Sequence, residues 1–150
     1  MSSEYRHIVR IAGRDVDGSK RLIYGLSMIK GVGVNLATAI VDALNLKRET
    51  RIGELTDEMV ERIEEAITDP PRHGIPPWLL NRRKDRETGR SIHLTGSDLE
   101  LKVKGDIDLM KEIRSWKGVR HSLGLKVRGQ RTRTTGRKGR VVGVRKKRAG

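Results

Sequence analysis

The strongest constraint on this chain is where its charge lies. From Arg114 to Gly150 there are 14 Lys and Arg and no acid, while the residues before Arg114 carry 19 of each sign. The whole net charge of +14 therefore sits in the C-terminal quarter. Glycines recur through that segment (Gly124, Gly129, Gly136, Gly139, Gly143) and no apolar periodicity runs through it. Such a segment cannot build its own core, and self-repulsion keeps it extended in isolation. A neutral body bearing a purely cationic tail predicts a polyanionic partner, nucleic acid ahead of an acidic membrane surface. Arginine dominates the middle of the tail, and its planar fork matches phosphate oxygens.

The body is bounded by length and composition. At 150 residues, with 35% hydrophobic and 35% charged, the chain has room for one modest domain with a small core, plus an appendage. It contains no cysteine, so disulfides, thiolate metal sites and cysteine nucleophiles are excluded together. The start, Met-Ser-Ser-Glu-Tyr-Arg, has no apolar signal region, and no apolar run approaches the ~20 residues of a membrane helix. A soluble, cytoplasmic protein is expected.

Apolar spacing predicts a mainly α body. Tyr5 to Ile11 reads as a short extended arm, and Asp15-Val-Asp17-Gly18 as a turn lacking the further ligands of a calcium loop. Ser19 is placed to cap a helix with Leu22, Ile23, Leu26 and Ile29 on one face, and a second helix carries Ala37, Ile40, Val41 and Leu44. Between them, Lys30-Gly31-Val32-Gly33 is neither a dinucleotide fingerprint nor a P-loop. It reads either as a plain helix-to-helix connection or as a turn whose bare backbone and following helix N-terminus face a phosphate.

Thr56 caps a third helix with an apolar stripe at Met59, Val60, Ile63 and Ile67 and an acidic outer face, solvated or open to a basic protein. The prolines of 69–77 break the pattern. Residues 78–94 then read as a β-hairpin with Arg82, Arg83, Lys84, Arg86 and Arg90 on a basic side. Ser97-Asp-Leu-Glu100 is a capping box for a helix reaching about Trp116, although Leu99, Leu101 and Val103 also permit a strand.

Chemistry is not signalled. The four histidines lie in separate segments without metal-ligand spacing, and no serine or acid sits in a catalytic pattern. The chain is expected to be no enzyme, with no cofactor and no metal. The four aromatics form no stacking platform, which favours recognition of nucleic-acid backbone and shape over base stacking.

The run Ile113-Arg-Ser-Trp-Lys-Gly118-Val-Arg120-His121-Ser-Leu-Gly124-Leu-Lys-Val-Arg128-Gly-Gln-Arg131-Thr-Arg133-Thr closely resembles the signature of the universal small-subunit ribosomal protein thirteen family. Val9 to Gly13, Ile29 to Gly33 and Arg51 to Thr56 extend the resemblance across nearly the whole chain. Extra sequence between about Asp69 and Gly96, and the closing Val-Gly-Val-Arg-Lys-Lys, resemble the archaeal and eukaryotic form.

The resemblance implies a helix-two-turns-helix body, expected over residues 1–117; the hairpin read above falls in the inserted stretch of about 70–96, and the extended basic tail takes 118–150. It implies a structural component of the small-subunit head. The partners it implies are small-subunit rRNA, small-subunit ribosomal protein nineteen, large-subunit rRNA and protein five at bridges, and peptidyl-site tRNA. Lys30, Gly31, Gly33, Arg120 and His121 are the rRNA-binding candidates in the body. Arg128, Gln130, Arg131, Arg133, Arg137, Lys138 and Arg140 are those in the tail. Arg145, Lys146, Lys147 and Arg148 are expected nearest tRNA. A DNA-binding module is the competing reading, because helix-two-turns-helix bodies also occur in DNA glycosylases. Those proteins, however, need a catalytic domain and usually a cysteine zinc finger.

Overall fold

The computed structural model describes residues 5–136. The chain divides into two compact units, one ending at Lys102 and one beginning at Val103.

The first unit opens with a hairpin. Strands β1 (Ile8–Ile11) and β2 (Arg14–Asp17) pair antiparallel, with Val9 opposite Val16 and Ile11 opposite Arg14. Alternation sends Val9, Ile11 and Val16 into the core. The connecting Ala12 and Gly13 both have positive φ, at 48° and 74°, as a two-residue primed turn requires. Alanine tolerates this poorly, and Glu64 helps hold it by accepting the Ala12 N–H at 2.7 Å. What reads from sequence as an arm and a turn is thus a closed hairpin, because the strand runs on through Asp17. Asp17 then accepts from Ser19 N–H at 2.9 Å and Ser19 Oγ at 2.8 Å. Ser19 is consequently part of that turn, and Arg21 occupies the N-cap position of α1 (Leu22–Leu26).

Helix α2 (Val34–Ala43) and helix α3 (Asp57–Thr68) complete the core with a 3-10 turn at Ile52–Glu54. Leu26, Ile40, Ile52, Leu55, Ile63 and Ile67 are essentially inaccessible to solvent. Gly25 lets α1 lie on Ile52, since a Cβ there would stand 2.5 Å from Ile52 Cγ1. Asn45, at φ 52°, ends α2 while the Leu46 N–H reaches back to the Val41 carbonyl at 2.9 Å. Thr56 caps α3 as expected, accepting from the Met59 N–H. Met59, in the first turn of α3, is exposed rather than buried, and Ala66 joins Ile63 and Ile67 in the buried stripe.

After 3-10 turns at Pro70–His73 and Pro77–Leu79, the chain folds back on itself. A single bridge, Arg82 to Ile92, replaces the regular ladder expected of a hairpin here. The reason is Asp85, which is turned inward and buried, and gathers the connecting residues around its carboxylate. That carboxylate accepts from Arg82 Nε and, at 3.2 Å, from Thr88 Oγ1.

Helix α4 (Gly96–Glu112) spans the division between the units, and helix α5 (Trp116–Ser122) lies in the second. The sequence reads as one helix to about Trp116. Instead, Arg114 adopts φ 52° and Ser115 caps a new helix by accepting the Gly118 N–H at 3.2 Å. Gly118 permits the corner, because a Cβ there would lie 2.0 Å from the Met110 carbonyl oxygen. Gly118→Ala is expected to open this corner at a cost of about 1–3 kcal/mol. Hydrogen exchange at the Val119 and Leu123 amides, which bond within α5 at 2.9 and 3.1 Å, should accelerate roughly tenfold or more.

Candidate nucleic-acid interface

The glycine turn between α1 and α2 treats its two glycines differently. Gly31 has φ +101°, and a Cβ there would meet the Leu94 carbonyl oxygen at 2.5 Å and the Thr95 Cα at 3.1 Å. Its bareness is needed by the inserted segment that packs over it. Asn81 Nδ2 donates to that Leu94 carbonyl at 2.6 Å, and Asn81 Oδ1 accepts from the Leu94 N–H at 3.0 Å. Gly33 has open space around it and stands at the N-cap of α2, with no capping side chain and no acid in the first turn. Val34 and Asn35, which follow, are exposed. This N-terminus is the part of the turn that offers a helix dipole to an anion. Lys30 is exposed beside it and pairs with Glu100, whose carboxyl is held below its ordinary range by that ammonium. Glu100 is thereby drawn away from the capping-box role its spacing implies. The helix begins at Gly96, two residues before the Asp98 start that a Ser97 cap would give.

In the second unit, Arg120 and His121 lie on the last turn of α5, both half-buried. Arg120 has two partners. Its Nε donates to the Lys126 carbonyl at 2.8 Å, and its guanidinium lies 5.6 Å from the ring centre of Trp116, four residues earlier. Arg120 thus anchors the start of the tail. Once α5 is recognised, the i,i+4 spacing of Trp116 and Arg120 carries this signal. Gln130 is also engaged with the chain, its Oε1 accepting the Arg128 N–H at 2.9 Å. Arg128, Arg131 and Arg133 are exposed. Arg137, Lys138, Arg140, Arg145, Lys146, Lys147 and Arg148 lie outside the described residues.

The Asp85 loop was not legible as a unit. Its carboxyl is held down to about 2, from an ordinary 3.8, chiefly by the Arg82 hydrogen bond and then by Thr88 and the charge of Lys102. A depressed folded-state pKa means that the stabilisation is present above about pH 4 and is lost as pH falls toward 2. A thermal-melt series from pH 5 to pH 2 should therefore show a smaller acid-induced loss in Asp85→Asn than in the native chain.

Among the described residues no group of three or more His, Asp or Glu side chains is placed to hold a metal ion. No described helix is long and apolar enough to cross a membrane.

The family described as Ribosomal protein S13/S18 matches residues 10–138, a span that begins within β1 and includes β2, the glycine turn, the Asp85 loop and α5. The chain belongs to this family. A small ribosomal subunit protein uS13 from Staphylothermus marinus is 60% identical over 144 residues, covering 96% of this chain and 95% of that protein. Its namesake from Hyperthermus butylicus is 57% identical over 143 residues, covering 95% of each. The uS13 of Methanothermobacter thermautotrophicus is 51% identical over 147 residues, covering 98% of this chain and 99% of its own. The chain is an archaeal-type S13/S18 member. Arg140 and the terminal Arg145 to Arg148 fall beyond the residues that the family match covers.

Proposed function

We propose that this S13/S18 family member is a structural, non-enzymatic component of the small ribosomal subunit head that binds small-subunit rRNA. The supporting observation is that the family match extends into the acid-free cationic segment as far as Lys138, and that Arg128, Arg131 and Arg133 stand exposed within it. Those side chains neutralise rRNA phosphates, with Arg137, Lys138 and Arg140 continuing the series. The open N-terminus of α2 at Gly33, with Lys30 beside it, receives a further phosphate. Arg120 and His121 meet the RNA from α5 while Arg120 fixes the direction in which the tail departs.

The finer reading follows the family resemblance. The protein adjoins small-subunit ribosomal protein nineteen and contributes to bridges with large-subunit rRNA and protein five. Its residues Arg145 to Arg148 approach peptidyl-site tRNA. A DNA-binding module is the alternative. Binding of the full chain to a head-domain rRNA transcript, duplex DNA and anionic vesicles at equal salt separates these readings. Tightest binding to the rRNA transcript is expected, and preference for DNA or vesicles would overturn the proposal.

A further inference from the structure

The Asp85 loop holds more cations than its own fold uses. Between Arg82 and Arg90 there are two acids, Asp85 and Glu87. Asp85 is buried against Arg82, with Lys102 Nζ at 3.9 Å, and Glu87 takes the same ammonium at 2.9 Å. Both negative charges are therefore neutralised from within, by Arg82 on the loop and by Lys102 on α4. Arg83, Lys84, Arg86 and Arg90 remain, all exposed, and none of them has an acid partner among the described residues.

Backbone bonds fix the loop that carries these four. Asp85 N–H donates to the Arg90 carbonyl at 2.8 Å, and Gly89 N–H to the Asp85 carbonyl at 2.7 Å. Ile92 N–H closes the base on the Arg82 carbonyl at 2.9 Å. The buried carboxylate thus organises a short, rigid loop whose outer rim has an uncompensated charge of four. Preorganised cations lose less freedom on binding than cations on a free chain.

We infer that this loop is a second RNA-backbone site, separate in the chain from the cationic tail. The inference rests on the rRNA-binding reading above. Ribose–phosphate backbone is favoured over an acidic protein because Arg83 to Arg90 contain no apolar side chain to serve as an interface anchor. The same lack of apolar side chains disfavours a lipid surface. Three of the four rim cations follow one another almost directly in sequence (Arg83, Lys84, Arg86), which suits a run of adjacent phosphates.

The test uses the full chain and a head-domain rRNA transcript, with affinity measured over a range of salt concentrations. Combined Arg83→Gln, Lys84→Gln, Arg86→Gln and Arg90→Gln should lower the slope of log affinity against log salt by roughly 3, at about 0.7–0.9 per phosphate contact. The charge-preserving set Arg83→Lys, Arg86→Lys and Arg90→Lys should keep the native slope. A glutamine variant that melts like the native chain yet retains the full slope overturns the loop site. In assembled subunits, a photoreactive residue in place of Arg86 should crosslink to rRNA; a protein adduct, or no RNA adduct, also overturns it. Failure of the native chain to bind the transcript would instead overturn the proposed function itself, so the two outcomes are distinguishable.

Discussion

A chain ending at Val127 is expected to lose most of the salt dependence of its rRNA binding. The truncation removes ten Lys and Arg and no acid. Each phosphate contact contributes about 0.7–0.9 to the slope of log affinity against log salt, so even half of these cations in contact lowers the slope by about 4. In the range from 50 to 200 mM salt, the native chain should weaken by several orders of magnitude and the truncated chain far less. The body should survive the cut, because residues 128–136 are exposed throughout and contribute nothing to the core. An unchanged melting temperature beside a flattened slope is the expected pair of results. An unchanged slope would place the phosphate contacts elsewhere.

The second large effect concerns Gly31. Gly31→Ala should destabilise the first unit by about 2–4 kcal/mol, combining a φ that L-residues rarely adopt with a Cβ driven against a backbone carbonyl. Neither neighbour can give way easily, because Leu94 is held on both its N–H and its carbonyl by Asn81. The denaturation midpoint should fall with little change in the slope of the transition. Gly33→Ala is the companion experiment. Gly33 has φ −95° and no heavy atom near its hypothetical Cβ, so stability should move by well under 1 kcal/mol. Any loss of rRNA affinity in that variant therefore reports on the α2 N-terminus. Equal stability of the two variants would contradict the packing described for Gly31.

These two glycines show what sequence could convey and what it could not. Spacing revealed a glycine turn between two helices, and Ala37 to Leu44 and Ile63 to Ile67 disclosed the faces that bury. Helical periodicity is a local signal, and so are the Thr56 cap and the cationic tail. Gly31's reason for being glycine lies 63 residues away, at Leu94, and no local pattern carries it. Asp85 was obscured similarly: a carboxylate among five cations reads as exposed charge until the fold turns it inward toward Arg82 and Lys102. The break between α4 and α5 was missed because Ile107, Met110 and Ile113 continue a helical spacing straight into the corner. The signal there was Ser115 followed three residues later by Gly118, a cap and a close approach in one.

The bond from Arg120 to the Lys126 carbonyl also sets a length. The Leu125 N–H already donates to the Arg120 carbonyl at 2.9 Å, and the bond from Arg120 Nε carries the attachment one residue further, so the free chain begins at about Lys126, two residues before Arg128. The reach of a flexible chain grows as the square root of its residue number, at about 5–6 Å per root residue. A shorter tether confines Arg128 and Arg131 to a smaller volume around α5. Under the proposed rRNA binding, an α5 seated on a phosphate backbone would present the following arginines to their phosphates at a raised effective concentration.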